Sequence, residues 1–261
     1  MFAVLAAGTL VAFLTLPIAA LFVTSVRDFA EGLAHPLVRP ALALSLVTTT
    51  VSSALIVFLG TPLAWLVGRR QGPGFRVLET LLELPIVIPP AVAGIALLLA
   101  FGRYGLLSGL LYPRGDSLAF STLAVVMAQV FVAAPFFLQA AVASFRQLDA
   151  ELLNVARTLG APPVRVFFRI GLPLAAPGLL AGAALGWARA LGEFGATLMF
   201  AGNLEGRTTT LPLAIYTALE SDLRAAQAVS LVLVVVAFSL LLFVRWTLAR
   251  RNQLRGARSA G

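Results

Sequence analysis

The 261-residue chain predicts an all-α membrane protein with six transmembrane helices, a single membrane domain over residues 1–261. Two observations carry that prediction. Hydrophobic residues make up 60% of the chain and charged ones 11%, with a mean hydropathy of +0.97, far too apolar for a soluble domain of this length. The apolar residues are also gathered into runs that meet the length of about 20 residues needed to cross a hydrocarbon core. The polar stretches between them are too short to bury a core of their own.

The six runs lie near 2–26, 42–67, 82–101, 118–143, 174–199 and 227–247. The first has no basic n-region and too long an apolar part for a signal peptide, so it is read as a true span. The third begins Glu83-Leu-Pro85-Ile-Val-Ile-Pro89-Pro90, and prolines so close together cannot sit in an unbroken helix. Backbone groups freed at membrane depth must be satisfied by protein or by a watery cavity. Two readings follow: this segment lines a translocation route near the cytoplasmic leaflet, or it is a kinked entry to the span. Pro135 in the fourth span, with Gln129 and Gln139 nearby, admits the same two. In the fifth, Gly178, Gly182, Ala183, Gly186 and Ala190 let backbones approach closely, which packing alone explains. Arg189 and Glu193 are the only charged pair well inside a predicted span, four residues apart. They read either as a polar patch along an anion pathway or as a mutually neutralising structural pair. With Phe194 and Thr197 they join Pro85, Pro89 and Pro90 as candidate pathway residues. Nothing in the spans gathers several cationic donors at one depth. After the sixth span, the tail from Arg250 to Gly261 reads as a solvated end near anionic lipid heads.

Orientation follows from arginine. With the N-terminus inside, twelve arginines (69, 70, 76, 146, 157, 165, 169, 245, 250, 251, 255, 258) are cytoplasmic and six (27, 39, 103, 114, 207, 224) are external. That bias predicts a multi-pass membrane protein with both termini and the Asn154–Pro173 loop in the cytoplasm.

Composition excludes several chemistries. The chain has no cysteine, which removes disulfides, iron–sulfur clusters, thiolate metal sites and Cys nucleophiles. Its net charge of +8 is all arginine, spread over loops beside apolar spans as topology requires rather than clustered for nucleic acid. The single histidine, His35, sits beside Pro36 with no second ligand at metal-binding spacing. No GxxxxGK[ST] loop is present, and without lysine none is possible, so the chain does not hydrolyse ATP by that route.

Asn154 to Pro173, NVARTLGAPPVRVFFRIGLP, is a basic helix-turn-helix between two apolar spans, within a cytoplasmic loop of about 145–172. Leu152, Val155, Ala156 and Leu159 recur at helical spacing after Asp149, a predicted N-cap, and Gly160 stands where a left-handed C-cap belongs. Pro163 suits the first turn of a second helix with Val164, Phe167 and Phe168 on its apolar face and Arg165 and Arg169 on its cationic one. Pro173 is expected to open the next span.

The pattern resembles the coupling loop of ATP-binding cassette importer permeases, whose signature reads Glu-Ala-Ala, then Gly, then Ile-x-Leu-Pro. Val155-Ala156, Gly160, Ile170, Leu172 and Pro173 fall in register, with Asn154 in place of Glu and Val155 in place of the first Ala. A second motif, Gly192-Glu-Phe-Gly-Ala-Thr-Leu-Met-Phe-Ala-Gly-Asn203 followed by Gly206-Arg-Thr-Thr-Thr-Leu-Pro-Leu-Ala-Ile-Tyr216, resembles the molybdate and sulfate branch, most closely the molybdate type. The resemblance implies the type I importer permease fold, a homodimer of permeases, and two cytoplasmic ATPase subunits that carry ATP and Mg, with no cofactor on this chain. It also implies an external binding protein delivering a tetrahedral oxyanion: molybdate or tungstate, with sulfate or thiosulfate as the alternative.

In that frame Asn154, Val155, Ala156, Arg157, Leu159, Gly160, Phe167 and Phe168 form the ATPase-coupling surface, where Ala156 and Gly160 permit close approach, the apolar residues anchor, and Arg157 with Arg165 orients. The moderately polar segment from Leu211 to Gln227, with Glu220, Asp222 and Arg224 exposed, and the loops 27–40 and 103–117 would face a binding protein. A stand-alone secondary transporter or channel would need ion-coupling carboxylates, and only Glu193 offers itself. A membrane-embedded enzyme would need a cluster of His, Asp or Glu at one depth, which the sequence lacks.

Overall fold

The computed structural model describes residues 1–26, 29, 34, 36–70, 72–111 and 117–259, with side chains described to Phe243 and again at Trp246. Arg27, His35, Arg114 and the side chains of Arg245, Arg250, Arg251, Arg255 and Arg258 lie outside the described residues. All regular structure among the described residues is helical.

Helix α1 (Phe2–Ser25) carries the first span; Ser25 is its one buried residue, and its neighbour is the C-terminal helix. Helix α2 (Val38–Arg69) carries the second span and begins a turn earlier than the apolar run suggests. After a break at Gly72, whose φ of +145° suits a residue without Cβ, α3 (Pro73–Val87) and α4 (Pro90–Phe101) follow, then the short α5 (Ser108–Leu111). Helix α6 (Thr122–Arg146) is the fourth span. The Ser121 Oγ accepts the Ala124 N–H at 3.2 Å, capping its start. Helix α7 (Ala150–Thr158) leads to α8 (Pro163–Leu191), then α9 (Gly195–Ala201), α10 (Leu211–Ser221) and α11 (Leu223–Ser259).

Helix α6 is the hub. Of its apolar window 61% is buried inside the chain, against 28% or less for the other unbroken spans. Lipid tails are as apolar as leucine, so association here comes from close packing rather than from escape from water. The small residues supply that packing. A Cβ on Gly60 would meet the Phe137 ring at 2.9 Å, and one on Gly182 would meet Ala140 Cβ at 2.8 Å. Gly178 and Gly186 face α6 as well, so the glycine stripe of the fifth span is the α6 contact. Phe137, Phe145, Ala64 and Val67 are fully enclosed there with Ala175 and Ala190. A second cluster joins α4, α6 and α9 through Leu97, Val125, Ala196 and Phe200, and a third joins α2, α10 and α11 through Val38, Leu211 and Val229.

The third span is broken, as its prolines require: α3 and α4 meet at a 115° bend, because Pro89 and Pro90 supply no N–H to continue the ladder of α3. Two expected ends are corrected, both of the fifth span. Pro173 does not open it. The helix starts at Pro163 and runs on through a π-turn, Phe167–Gly171, in which the Leu172 N–H reaches back five residues to the Phe167 carbonyl. That wider turn directly precedes Pro173, whose ring has no N–H to give to the ladder. The fifth span also ends at Leu191 rather than near 199, and α9 is separate. The last helix continues through Ser259.

Candidate functional site

Helix α7 is built as a projecting element. Asp149 Oδ1 accepts the Glu151 N–H at 2.8 Å at its start. At its end Gly160 takes φ +82°, and the Gly160 and Ala161 N–H groups return to the Arg157 and Ala156 carbonyls at 2.9 and 3.0 Å. Leu153 is fully buried and ties the helix to the bundle. Leu152, Asn154, Val155, Arg157 and Leu159 are exposed, and Ala156 is half-buried. Leu159 is 82% exposed, so a large apolar side chain is displayed to something outside the chain.

The second half of the loop divides its phenylalanines. Phe168 is exposed beside Val164, whereas Phe167 turns inward and packs edge-on against Trp65 with ring centroids 5.3 Å apart. Trp65 in turn meets Phe145 at 5.2 Å, so Phe167 is part of the bundle and not of the displayed face. Leu153 and the inward turn of Phe167 were not visible in the spacing, which takes 152, 155, 156 and 159 as one face and the two phenylalanines as another.

Of the candidate pathway residues, Pro89, Pro90, Glu193 and Phe194 lie where two broken helices face each other. A Cβ on Gly195 would meet Pro90 Cβ at 2.8 Å and Ala91 N at 3.3 Å, and one on Gly94 would meet Met199 Cβ at 2.6 Å and the Ala196 carbonyl at 2.7 Å. The break at Ile88–Pro89 therefore abuts the break at Gly192–Phe194. Pro89 caps α4, Pro90 is its first residue, and Pro85 sits inside α3. Glu193, fully buried, lies in the second break and not within a span. Its Oε1 accepts the Ala196 N–H at 2.8 Å, so the carboxylate caps α9. Its Oε2 lies 2.8 Å from Arg189 Nη2 in a contact outside hydrogen-bond alignment; the charge pairing depends on distance and holds regardless of the angle. Phe194 meets the Tyr216 ring at a tilt with centroids 5.5 Å apart, and the buried Thr197 hydroxyl has no partner among the described residues.

The Thr-rich segment pins the loop after α9. Thr208 Oγ1 accepts the Leu204 N–H at 2.8 Å, Thr209 Oγ1 donates to Asn203 Oδ1 at 2.7 Å, and Asn203 Nδ2 donates to Thr217 at 2.8 Å. The Arg207 carbonyl accepts from Thr122 at 2.9 Å and the Leu211 N–H donates to Ser45 at 2.7 Å, binding the loop to α6 and α2. Gln129 belongs to a buried network with Ser52 and Thr49, at 2.9 and 3.4 Å, while Gln139 donates to Glu83 at 3.2 Å across α3 and α6. The segment from Leu211 is a helix packed on α2 and α11, with Glu220, Asp222 and Arg224 exposed as their spacing predicts.

This combination of a displayed short helix and a bundle of broken spans has a family counterpart: the model of the binding-protein-dependent transport system inner membrane component matches residues 60–252. The chain belongs to that family. Among the permease's relatives, the molybdenum transport system permease protein ModB of Mycobacterium tuberculosis is 50% identical over 202 residues, covering 77% of this chain and 76% of the relative. The Escherichia coli K12 protein of the same name is 39% identical over 219 residues, covering 82% and 95%. The molybdate/tungstate transport system permease protein WtpB of Thermococcus kodakarensis is 34% identical over 251 residues, covering 95% of each chain. In three dimensions the permease superposes on a chain of a bacterial ABC transporter involved in import of the acidic polysaccharide alginate, with TM-score 0.76, 18% identity, and 95% and 94% of the two chains covered. The MetNI methionine ABC transporter gives TM-score 0.66 at 18% identity, covering 82% and 95%. The fold is thus the type I ABC importer permease fold.

Proposed function

We propose that this chain is the membrane-spanning subunit of an ATP-driven importer that carries molybdate or tungstate into the cytoplasm. The observation that supports this most is the 50% identity, over 202 residues, to a molybdenum transport permease. The chain works as a homodimer, receives its oxyanion from an external binding protein, and couples to two ATPase subunits that hold ATP and Mg. Both termini and α7 are cytoplasmic, as the arginine bias favours.

Within this reading the exposed face of α7, with Val164 and Phe168, is the ATPase docking surface, and Leu153 fixes it to the bundle. Helix α8 is one 29-residue element. At the α-helical rise it is a rod of about 43 Å. Force applied beside Gly160 reaches Gly192–Phe194, the break that abuts the break between α3 and α4. Rocking of α8 against α6 then slides one break past the other and changes which side the pathway opens to. The Arg189–Glu193 pair is self-neutralised, so the route passes an anion without trapping it.

Cellular molybdenum, measured by elemental analysis in a strain lacking this chain and grown on trace molybdate, tests the cargo. Molybdenum falls, excess molybdate restores it, and sulfur is unchanged. A fall in sulfur with molybdenum intact moves the cargo to sulfate.

A further inference from the structure

At the end of the bundle that carries α7, a cavity of about 840 Å³ opens between the end of α2, the start of α3 and the end of α6. Arg69, Arg70, Arg76 and Arg146 line it, with Glu79 as its one carboxylate. Neither helix break lines it, and α7 contributes only Ala150. Two of the guanidiniums are engaged: Arg69 Nη1 donates to the Leu148 carbonyl at 3.1 Å, and Arg146 Nη2 lies 2.6 Å from Glu79 Oε2. Arg70 rests over the Phe75 ring at 5.8 Å, and neither it nor Arg76 has an acidic partner among the described residues. Four arginines against one glutamate leave the lining three charges positive. Such crowding is repulsive unless an anion lies between the groups, and guanidinium forks fit phosphate oxygens.

Helix α3 leaves this cavity with Val77, Leu81 and Leu84 exposed at 59%, 58% and 47%, spaced four and three residues apart on one face. A cationic seat opening onto an apolar track has the two-part form of a phospholipid; a soluble phosphate would use only the first part.

We propose that this cavity seats the phosphate of an anionic phospholipid of the cytoplasmic leaflet, with Arg70 and Arg76 as headgroup contacts and the outer face of α3 along an acyl chain. The choice of leaflet rests on the orientation proposed above. Leu148 and Ala150, both in the lining, flank the Asp149 cap, so a bound headgroup braces the base of the docking helix.

Native mass spectrometry of the purified full chain in mixed micelles, with phosphatidylglycerol against phosphatidylcholine, tests this. The wild-type chain retains phosphatidylglycerol preferentially. Each arginine near a headgroup contributes on the order of fivefold, so R70Q/R76Q lowers the preference by about 25-fold. R70K/R76K, which keeps the charge, retains most of it and controls for folding. Equal retention of the two lipids by the wild type, or an undiminished preference in R70Q/R76Q, overturns the proposal. Displacement of the lipid by millimolar inorganic phosphate overturns it in favour of a soluble anion. Loss of the preference once the ATPase subunits are bound overturns it in favour of an acidic segment of that partner. None of these readouts involves transport, so an error in the cargo leaves them unchanged.

Discussion

Gly94→Ala is the most direct perturbation of the contact between the two broken helices. The added methyl would meet Met199 Cβ at 2.6 Å, the Ala196 carbonyl at 2.7 Å and Ala196 Cα at 3.0 Å. Two of these atoms are backbone and the third is a Cβ, so no side-chain rotation relieves the overlap. Carbon–carbon contact is comfortable at about 3.5–4.0 Å, so α4 and α9 must part by roughly 1 Å. Ala93, Leu97, Ala196 and Phe200 pack across that seam. A gap of this size forfeits about a quarter to a half of each contact's attraction. Overpacking of this kind costs about 1–3 kcal/mol. The protein therefore still inserts, with a lowered melting temperature in detergent. Molybdate uptake by proteoliposomes, per ATP hydrolysed by the assembled complex, falls well below wild type because the breaks no longer slide in register. Gly8→Ala, in α1 where a Cβ would meet nothing within 4 Å, is the matched control with unchanged uptake. Wild-type uptake by Gly94→Ala would refute the idea that the facing breaks are the moving part.

Further outcomes follow from the docking helix. Gly160→Glu leaves the chain in the membrane but uncouples it, whereas Gly160→Asn, which tolerates the φ of +82°, keeps coupling; copurification of the ATPase subunit reads both. Leu153→Ala costs about 2–5 kcal/mol in thermal unfolding because its side chain is fully enclosed, while Leu152→Ala, 47% exposed, leaves unfolding unchanged and weakens ATPase binding. Phe167→Ala, at a partly buried position, is destabilising by less than the roughly 3–5 kcal/mol of a fully enclosed phenylalanine, through the lost contacts with Trp65 and Phe145. Phe168→Ala changes only the affinity for the ATPase, measured by titration in detergent; equal effects of the two substitutions on stability would contradict the division of the pair.

The spans, their order, and the Asp149 and Gly160 ends of α7 are legible in the chain because each has a local cause: apolar length, a side-chain acceptor, a residue free of Cβ. Pro89-Pro90 likewise marks where the third span breaks. Its angle is not local, since 115° is set by what α4 packs against, and the Gly195–Pro90 contact joins segments about a hundred residues apart. Phe167 and Phe168 differ for a related reason. A π-turn shifts the helical phase by one position, and regular spacing carries no trace of it. Of the threonines at 208–210, two serve as ties that hold a loop, with partners that composition does not reveal. Arg70 and Arg76 are separated in sequence from Arg146 and come together only when α3 folds back across the end of α6.

The π-turn at Phe167–Gly171 also acts as a phase adjuster between two surfaces with different clients. On its membrane side, Gly178, Gly182 and Gly186 must point at α6; on its other side, Val164 must point away from the bundle. An α-helix advances about 100° per residue. Deleting one residue within the turn would restore a regular ladder and swing Val164 by roughly that angle while the glycines stay in place. The single extra residue thus lets the membrane seam and the docking face change independently, each under its own constraint, although both lie on one continuous rod.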